Sequence, residues 1–247
     1  MRLTVLGCGD AFGSGGRANT CYLIETPRST TALDFGATAL VEMKRRGFDP
    51  RRLDAIVLSH LHGDHFGGIP FLFLDLQFDC QRKRPLTIVG PVGTRERLLA
   101  AAEVFFPGSS KIDWRFPLHI VDLPCGEEHA LADLRIVSHE VVHPSGAPAT
   151  GVRIRAGDRL LAFSGDTEWT DSLYAVARDA DLFLCECYKP AGAPVYHMSF
   201  EHLDAHRDRL RARRIMLTHM SPAMLDRTDE AVAKGYLVAH DGLALDV

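Results

Sequence analysis

Short apolar runs broken by glycine, proline and polar clusters set the rhythm of the first half of the chain. Leu3-Thr4-Val5-Leu6 reads as a strand that runs into a loop with five glycines between positions 7 and 16. So many glycines open the backbone to positive φ. The loop reads either as a shaped element near a site or as a plain turn; its spacing fits neither the dinucleotide nor the P-loop pattern. Strands are predicted over 20–25 and 31–34, with Pro27 in the turn between them. A Leu40/Met43/Lys44 stripe predicts a helix stopped by Gly47, with Pro50 beyond. A strand over 53–58 follows. The nearly continuous apolar stretch 68–78, with Pro70 suited to a first turn, predicts a buried helix. A strand over 85–89, a helix over 93–104 and an irregular connector over 107–117 complete this half.

The second half alternates in the same way. A strand over 134–142 leads to His143-Pro144-Ser145-Gly146, and a hairpin over 152–155 and 159–163 turns at Gly157-Asp158. A helix over 172–180 and a strand over 181–187 come next. Ser199 is placed to cap a helix over 200–213 whose arginines favour its last turn. A strand over 214–218 ends at His219, and the tail carries strands near 236–238 and at the end. No linker rich in Pro, Gly or Ser interrupts the chain. The expectation is one α/β domain over residues 1–247, built of two similar halves, about 1–125 and 126–247.

Composition narrows this little. Of 247 residues, 46% are hydrophobic and 24% charged, an ordinary globular balance, and the net charge of −4 gives no support to a broad nucleic-acid surface. No apolar run is long enough to span a membrane, and no early basic-plus-apolar segment resembles a signal peptide. The six cysteines are scattered, so reduced thiols in a cytoplasmic protein are expected. The oligomeric state is open between monomer and homodimer.

Chemistry concentrates in one place. Ser59-His60-Leu61-His62-Gly63-Asp64-His65 packs three imidazoles and a carboxylate just past a buried strand. Those nitrogen and oxygen donors suit zinc and its neighbours. His143, Asp166 and His219 also fall just past apolar strands. Strand ends along one sheet edge converge, and open α/β sheets place their sites there. His119, His129, His139, His202, His206 and His240 show no such pattern.

The run His60-x-His62-x-Asp64-His65 resembles the signature of the metallo-β-lactamase superfamily. Asp34, His143, Asp166 and His219 match its remaining motifs in chain order. The resemblance covers nearly the whole chain. It implies a four-layer αβ/βα sandwich of two mixed β-sheets, with a binuclear metal site at one edge. It assigns His60, His62 and His143 to one metal and Asp64, His65 and His219 to the other. Asp166 would bridge both, and Asp34 would be a buried carboxylate supporting the ligands. The expected cofactors are two divalent ions, zinc by default, with manganese or iron suiting the same donors. Such ions, about 3.5–4 Å apart, can share a hydroxide that serves as the nucleophile.

The substrate is narrowed by further matches. Relatives that open β-lactams usually carry Cys where this chain has Asp166, which disfavours that activity. His143-Pro144-Ser145-Gly146 with 151–154, and the segment 84–91, resemble the ribonuclease Z group, as do Glu186 and His197. In that reading Asp64, His197 and Glu186 are the catalytic side chains. His197 acts as general acid or phosphate ligand, and Glu186 orients it. The plainer alternative is that His197 caps the next helix and Glu186 pairs with an arginine. Residues 107–142 are too short for the tRNA-gripping arm of ribonuclease Z. The expected activity is therefore a small-molecule or cyclic phosphodiesterase, with nucleic acid a less favoured substrate and no membrane partner. The glycine-rich opening loop resembles that of such smaller relatives, and Arg17 is its candidate phosphate contact. The alternatives are a tRNA 3′ endonuclease, a thioester or lactone hydrolase, and a non-enzymatic carrier.

Overall fold

A computed structural model describes residues 1–192 and 195–247. Six strands come from the first half: β1 (Arg2–Gly7), β2 (Cys21–Glu25), β3 (Thr30–Leu33), β4 (Ala55–Val57), β5 (Leu86–Gly90) and β6 (Leu118–Asp122). Seven more follow: β7 (Glu128–Leu131), β8 (Leu134–Glu140), β9 (Thr150–Ala156), β10 (Arg159–Phe163), β11 (Leu182–Glu186), β12 (Ile215–Thr218) and β13 (Leu237–Val238). The last strand, β14 (Ala244–Asp246), crosses back and pairs with β1, Leu3 opposite Leu245. The result is two seven-stranded sheets, ordered β14-β1-β2-β3-β4-β5-β6 and β13-β12-β11-β10-β9-β8-β7.

Three apolar layers hold the sheets and helices together. Between the sheets, Val5, Tyr22, Ile24 and Val57 meet Ile136, Val152, Phe163 and Leu184. Outside the first sheet, Leu23, Ile56 and Ile88 pack on Met43, Ile69, Phe73 and Leu98 from the helices Ala39–Arg45, Ile69–Leu74 and Thr94–Phe105. Outside the second, Ala162, Phe183 and Leu217 pack on Leu173, Val176 and Leu203 from Ser172–Ala177 and Phe200–Leu210. Strands buried on both faces read as unbroken apolar runs, as they do over 55–57 and 182–185. This is the expected four-layer αβ/βα sandwich.

The differences from the predicted elements have local causes. β6 and β7 lie beyond the connector read over 107–117, in a stretch to which no element was assigned; both are edge strands whose half-polar alternation hides a weak period-2 pattern. The apolar helix from Ile69 turns after Leu74 into one π turn over Asp75–Asp79. The helix from Phe200 stops at Leu210 because Arg211 adopts φ 58°.

Direction along the sheets positions the site. β1 and β3 run the same way because each is antiparallel to β2, and β4 is parallel to β3. β8 and β10 run the same way through β9, and β11 and β12 are parallel to β10. The loops that follow β1, β3, β4, β8, β10, β11 and β12 therefore gather their polar side chains at one rim.

Candidate metal centre and catalytic cavity

The rim brings the dispersed candidates together. Ligand atoms of His60, His62 and His143 lie within 4.8 Å of one another, and so do those of Asp64, His65, Asp166 and His219. Asp166 stands between the groups. Its Oδ2 is 3.9 Å from His60 Nε2, 4.0 Å from His143 Nε2 and 3.3 Å from His219 Nε2, while Oδ1 is 3.3 Å from His65 Nε2. Gly165, at φ 60°, makes the turn that delivers Asp166, and a Cβ there would lie 2.6 Å from Thr150 O.

Hydrogen bonding sets the imidazole tautomers. Asp34 is wholly buried; Ser59 N donates to its Oδ1 at 2.8 Å and Ser59 Oγ to its Oδ2 at 2.7 Å. His65 Nδ1 donates to the same Oδ2 at 2.7 Å, which leaves Nε2 with its lone pair. Because the Ser59 hydroxyl proton goes to Asp34, His60 Nδ1 is the donor in the 3.1 Å contact with Ser59 Oγ. That frees His60 Nε2 as well. One Asp34–Ser59 unit thus orients an imidazole from each group, as supporting carboxylates do around metals. His143 Nδ1 donates to Tyr196 O at 2.9 Å, so its Nε2 carries the lone pair, and that atom lies 3.0 Å from His62 Nδ1 in the same donor group. Ser59 is a positioning residue that sequence reasoning passed over; its place directly before His60 was the only signal.

These residues fit divalent metal. The buried Nε2 atoms of His60 and His65 have no hydrogen-bond partner, an arrangement that costs stability unless a ligand uses the lone pair. Burial, reinforced by His65, holds His60 well below its ordinary pKa, in the neutral form that metals bind. Burial opposes ionisation of Asp166, but His219 and His65 outweigh it and hold the carboxyl well below the usual range. Asp64 is lowered too, burial being overcome by His65. Burial disfavours charge on His65, yet Asp166, Asp64 and Asp34 push it well above the ordinary imidazole value, so the carboxylates favour a positive charge at Nε2, a proton that a bound cation would displace. The carboxylates therefore impose a field that attracts cations.

A cavity of about 110 Å³ opens over this set. Tyr188, His197 and the loop residues Asp10, Ala11 and Phe12 complete its walls. Glu186, at the end of β11, is wholly buried and accepts from Thr167 N, from Met198 N at 3.2 Å and from His197 Nδ1 at 3.1 Å. That leaves Nε2 as the free nitrogen of His197. Burial works against charge on His197, but the Glu186 hydrogen bond and charge raise its pKa above the ordinary value. Its ring lies 5.0 Å from that of His143 and 5.7 Å from that of His219.

Arg17 is not brought to the cavity. Its Nη1 donates to Ala239 O at 2.8 Å and approaches Cys8 Sγ at 3.5 Å, binding the glycine-rich loop to the C-terminal segment. Asp241 adds to this clamp by accepting from Cys8 N and Ala18 N. The loop itself reaches the cavity through residues 10–12, so it is a shaped wall rather than a plain turn. All six cysteines are free, and no helix of the described residues is long and apolar enough to cross a membrane.

Comparison with known proteins agrees with the architecture. An uncharacterized protein of Mycobacterium tuberculosis, Rv1339, is 31% identical over 228 residues, covering 90% of this chain and 81% of the relative. A ribonuclease Z of Bacillus licheniformis is 25% identical over 300 residues, 94% of each chain. The metallo-β-lactamase fold protein YhfI from Bacillus subtilis superposes with a TM-score of 0.80 at 21% identity, over 99% of both chains. The fold is thus the metallo-β-lactamase fold, shared with metallo-hydrolases related to ribonuclease Z. The profile of the family described as Anti-Pycsar protein Apyc1 matches residues 1–241, and the chain belongs to that family.

Proposed function

We propose that this chain is a binuclear metal-dependent phosphodiesterase acting on a small or cyclic phosphodiester. The observation that carries the reading is the placing of His197, oriented by Glu186, on the wall of a cavity floored by two donor groups that share Asp166. His60, His62 and His143 would hold one ion; Asp64, His65 and His219 the other; Asp166 would contact both. Two divalent ions, zinc by default, supply Lewis acidity and activate water for attack on phosphorus when bound.

The remaining work falls to the chain. The Asp34–Ser59 unit keeps the Nε2 lone pairs of His60 and His65 aimed inward, and Tyr196 O does the same for His143. Cleavage expels an alkoxide that needs a proton. His197 supplies it from Nε2 while Nδ1 stays on Glu186, whose charge stabilises the imidazolium beforehand. The scissile P–O bond breaks, the leaving oxygen gains the His197 proton, and the histidine is left neutral until water reprotonates it.

The cavity's size favours a small substrate. Residues 107–142 are taken up by β6, β7, β8 and their turns, with no long excursion of the kind that would grip a folded RNA. The test is a panel of 2′,3′-cyclic, 3′,5′-cyclic and linear phosphodiesters, bis-p-nitrophenyl phosphate, pre-tRNA and a glutathione thioester, with metal content measured alongside. Turnover of the small phosphodiesters is expected. Activity confined to the thioester, or to pre-tRNA, would replace this reading, and a metal-replete protein inert to the whole panel would make it a carrier.

A further inference from the structure

Tyr196, directly before the proposed proton donor His197, stands in left-handed backbone at φ 63°. A bulky residue is strained there, and such strain persists where the surrounding structure over-determines it. Two hydrogen bonds fix Tyr196 from either side of its Cα. Its carbonyl accepts from His143 Nδ1 at 2.9 Å, and its N–H donates to Glu168 Oε2 at 3.2 Å. Glu168 is half-buried and lies in the turn after β10, two residues past Asp166. A carboxylate that accepts from a backbone N–H makes a charge-assisted bond, the stronger kind. Glu186 is already committed to Thr167 N, Met198 N and His197 Nδ1, which leaves the Tyr196 N–H to Glu168. The turn that carries Glu168 is itself tied to His143. Glu168 N donates to Val142 O at 3.2 Å, and Val142 N donates to Thr167 Oγ1 at 3.0 Å. The bonds close a ring. It runs from the Glu168 backbone to Val142, through His143 to the Tyr196 carbonyl, and from the Tyr196 N–H back to the Glu168 carboxylate.

We infer that Glu168 is a positioning residue for the metal ligand His143. By holding Tyr196 in its left-handed turn, it aims the Tyr196 carbonyl at His143 Nδ1 and so keeps the Nε2 lone pair turned towards the donor group of His60 and His62. The inference rests on the proposed assignment of His143 to a metal and is independent of which ester the centre cleaves. Partners that orient a metal-bound imidazole through its other nitrogen are part of a metal site's affinity. Here the partner is a carbonyl, and Glu168 acts one step further out, on the peptide that presents it.

The test is zinc affinity by competition with a chelator, with no substrate present and with thermal melts of the metal-free proteins as a check of folding. Glu168→Ala should weaken zinc binding by about 10- to 100-fold, the effect of losing a supporting partner of a metal-bound imidazole. Two conservative variants separate reach from charge. Glu168→Gln keeps a side-chain oxygen at the same reach without the charge, and should bind zinc as the wild-type protein does. Glu168→Asp keeps the charge but is one methylene shorter, and should bind as weakly as the alanine variant. Asn tolerates left-handed backbone better than Tyr, so Tyr196→Asn added to Glu168→Ala should recover part of the lost affinity. Zinc bound as tightly by Glu168→Ala and Glu168→Asp as by the wild-type protein would overturn the inference, and so would a loss in Glu168→Gln as large as that in Glu168→Asp. If the alanine variant does not fold, the Asp and Gln variants decide alone. The outcome is separable from that of the phosphodiesterase reading. A protein that cleaves no phosphodiester yet shows this pattern keeps the positioning residue and loses the reaction. One that cleaves phosphodiesters while Glu168→Asp binds zinc normally loses only the positioning residue.

Discussion

At the scale of single residues, the site is held by side chains whose partners are dictated by burial. Asp34 and His219 both adopt left-handed backbone, φ 56° and 55°, which is uncommon outside glycine and is tolerated where surrounding structure over-determines it. Each follows directly on a strand and must turn its side chain into the rim. Ser59→Ala should remove the acceptor that orients His60 and one donor to Asp34. It is expected to weaken metal binding by about 10- to 100-fold, measured by competition with a chelator, since supporting partners of metal-bound imidazoles carry effects of that size. Asp166→Ala should lower occupancy of both ions and abolish turnover, because its two oxygens lie beside imidazoles of both groups. His197→Ala should leave metal content near wild type and slow turnover by about 10²–10⁴, the usual share of a general acid. The pH profile separates this role from a structural one. Glu186 raises the His197 pKa, so the acid form persists to higher pH, and activity falls as pH rises through that value. Glu186→Gln removes the raising charge, so the fall should move to lower pH; a profile unchanged in that variant would take His197 out of the proton transfer.

At the scale of elements, the loop after β4 depends on close approach to the loop after β3. A Cβ on Gly36 would lie 2.2 Å from Asp64 O and 2.6 Å from Asn19 Cβ, whereas a Cβ on Gly63 would meet nothing within 4 Å. Gly36→Ala should therefore cost about 1–3 kcal/mol or more and displace the backbone that carries Asp64. Gly63→Ala should be tolerated, with thermal melts and metal content as the two readouts. This pair also shows what a sequence reveals and what it hides. The ligand cluster, the apolar strands over 55–57 and 182–186 and the N-cap at Ser199 were legible because each follows from short-range pattern. The cap is seen directly, Ser199 accepting from His202 N. The commitments of Ser59, Asp241 and Arg17 were not legible, because each depends on a partner far along the chain: Asp34, Cys8 with Ala18, and Ala239. Arg17 illustrates the cost. A cation beside a glycine-rich loop suggests an anion, yet its guanidinium is spent on a carbonyl.

At the scale of the molecule, the two sheets are locked together through the site. Thr150, opening β9, donates from N and Oγ1 to Ser59 O in the loop after β4, and His219 N after β12 donates to Cys8 O after β1. Ligands from both sheets therefore report on one another, and metal bound by the folded rim alone must stabilise the whole fold. Chelation is expected to lower the melting temperature of the wild-type protein, while Asp166→Ala should melt at a temperature that chelator hardly changes. The alternating strand and helix patterns of both halves indicated an α/β chain, while the four-layer sandwich was legible only through the resemblance carried by the His60-x-His62-x-Asp64-His65 run. The return of β14 to the first sheet was not, since a three-residue strand carries too little pattern to name its partner. The proposed function has the two donor groups act as one phosphodiester-cleaving centre. It is tested most directly by titrating metal-free protein with zinc while following both bound metal and hydrolysis of a cyclic phosphodiester. Two ions per chain are expected, with turnover rising as the second set of donors fills. Two bound ions with no cleavage of any phosphodiester, alongside hydrolysis of a thioester, would contradict it.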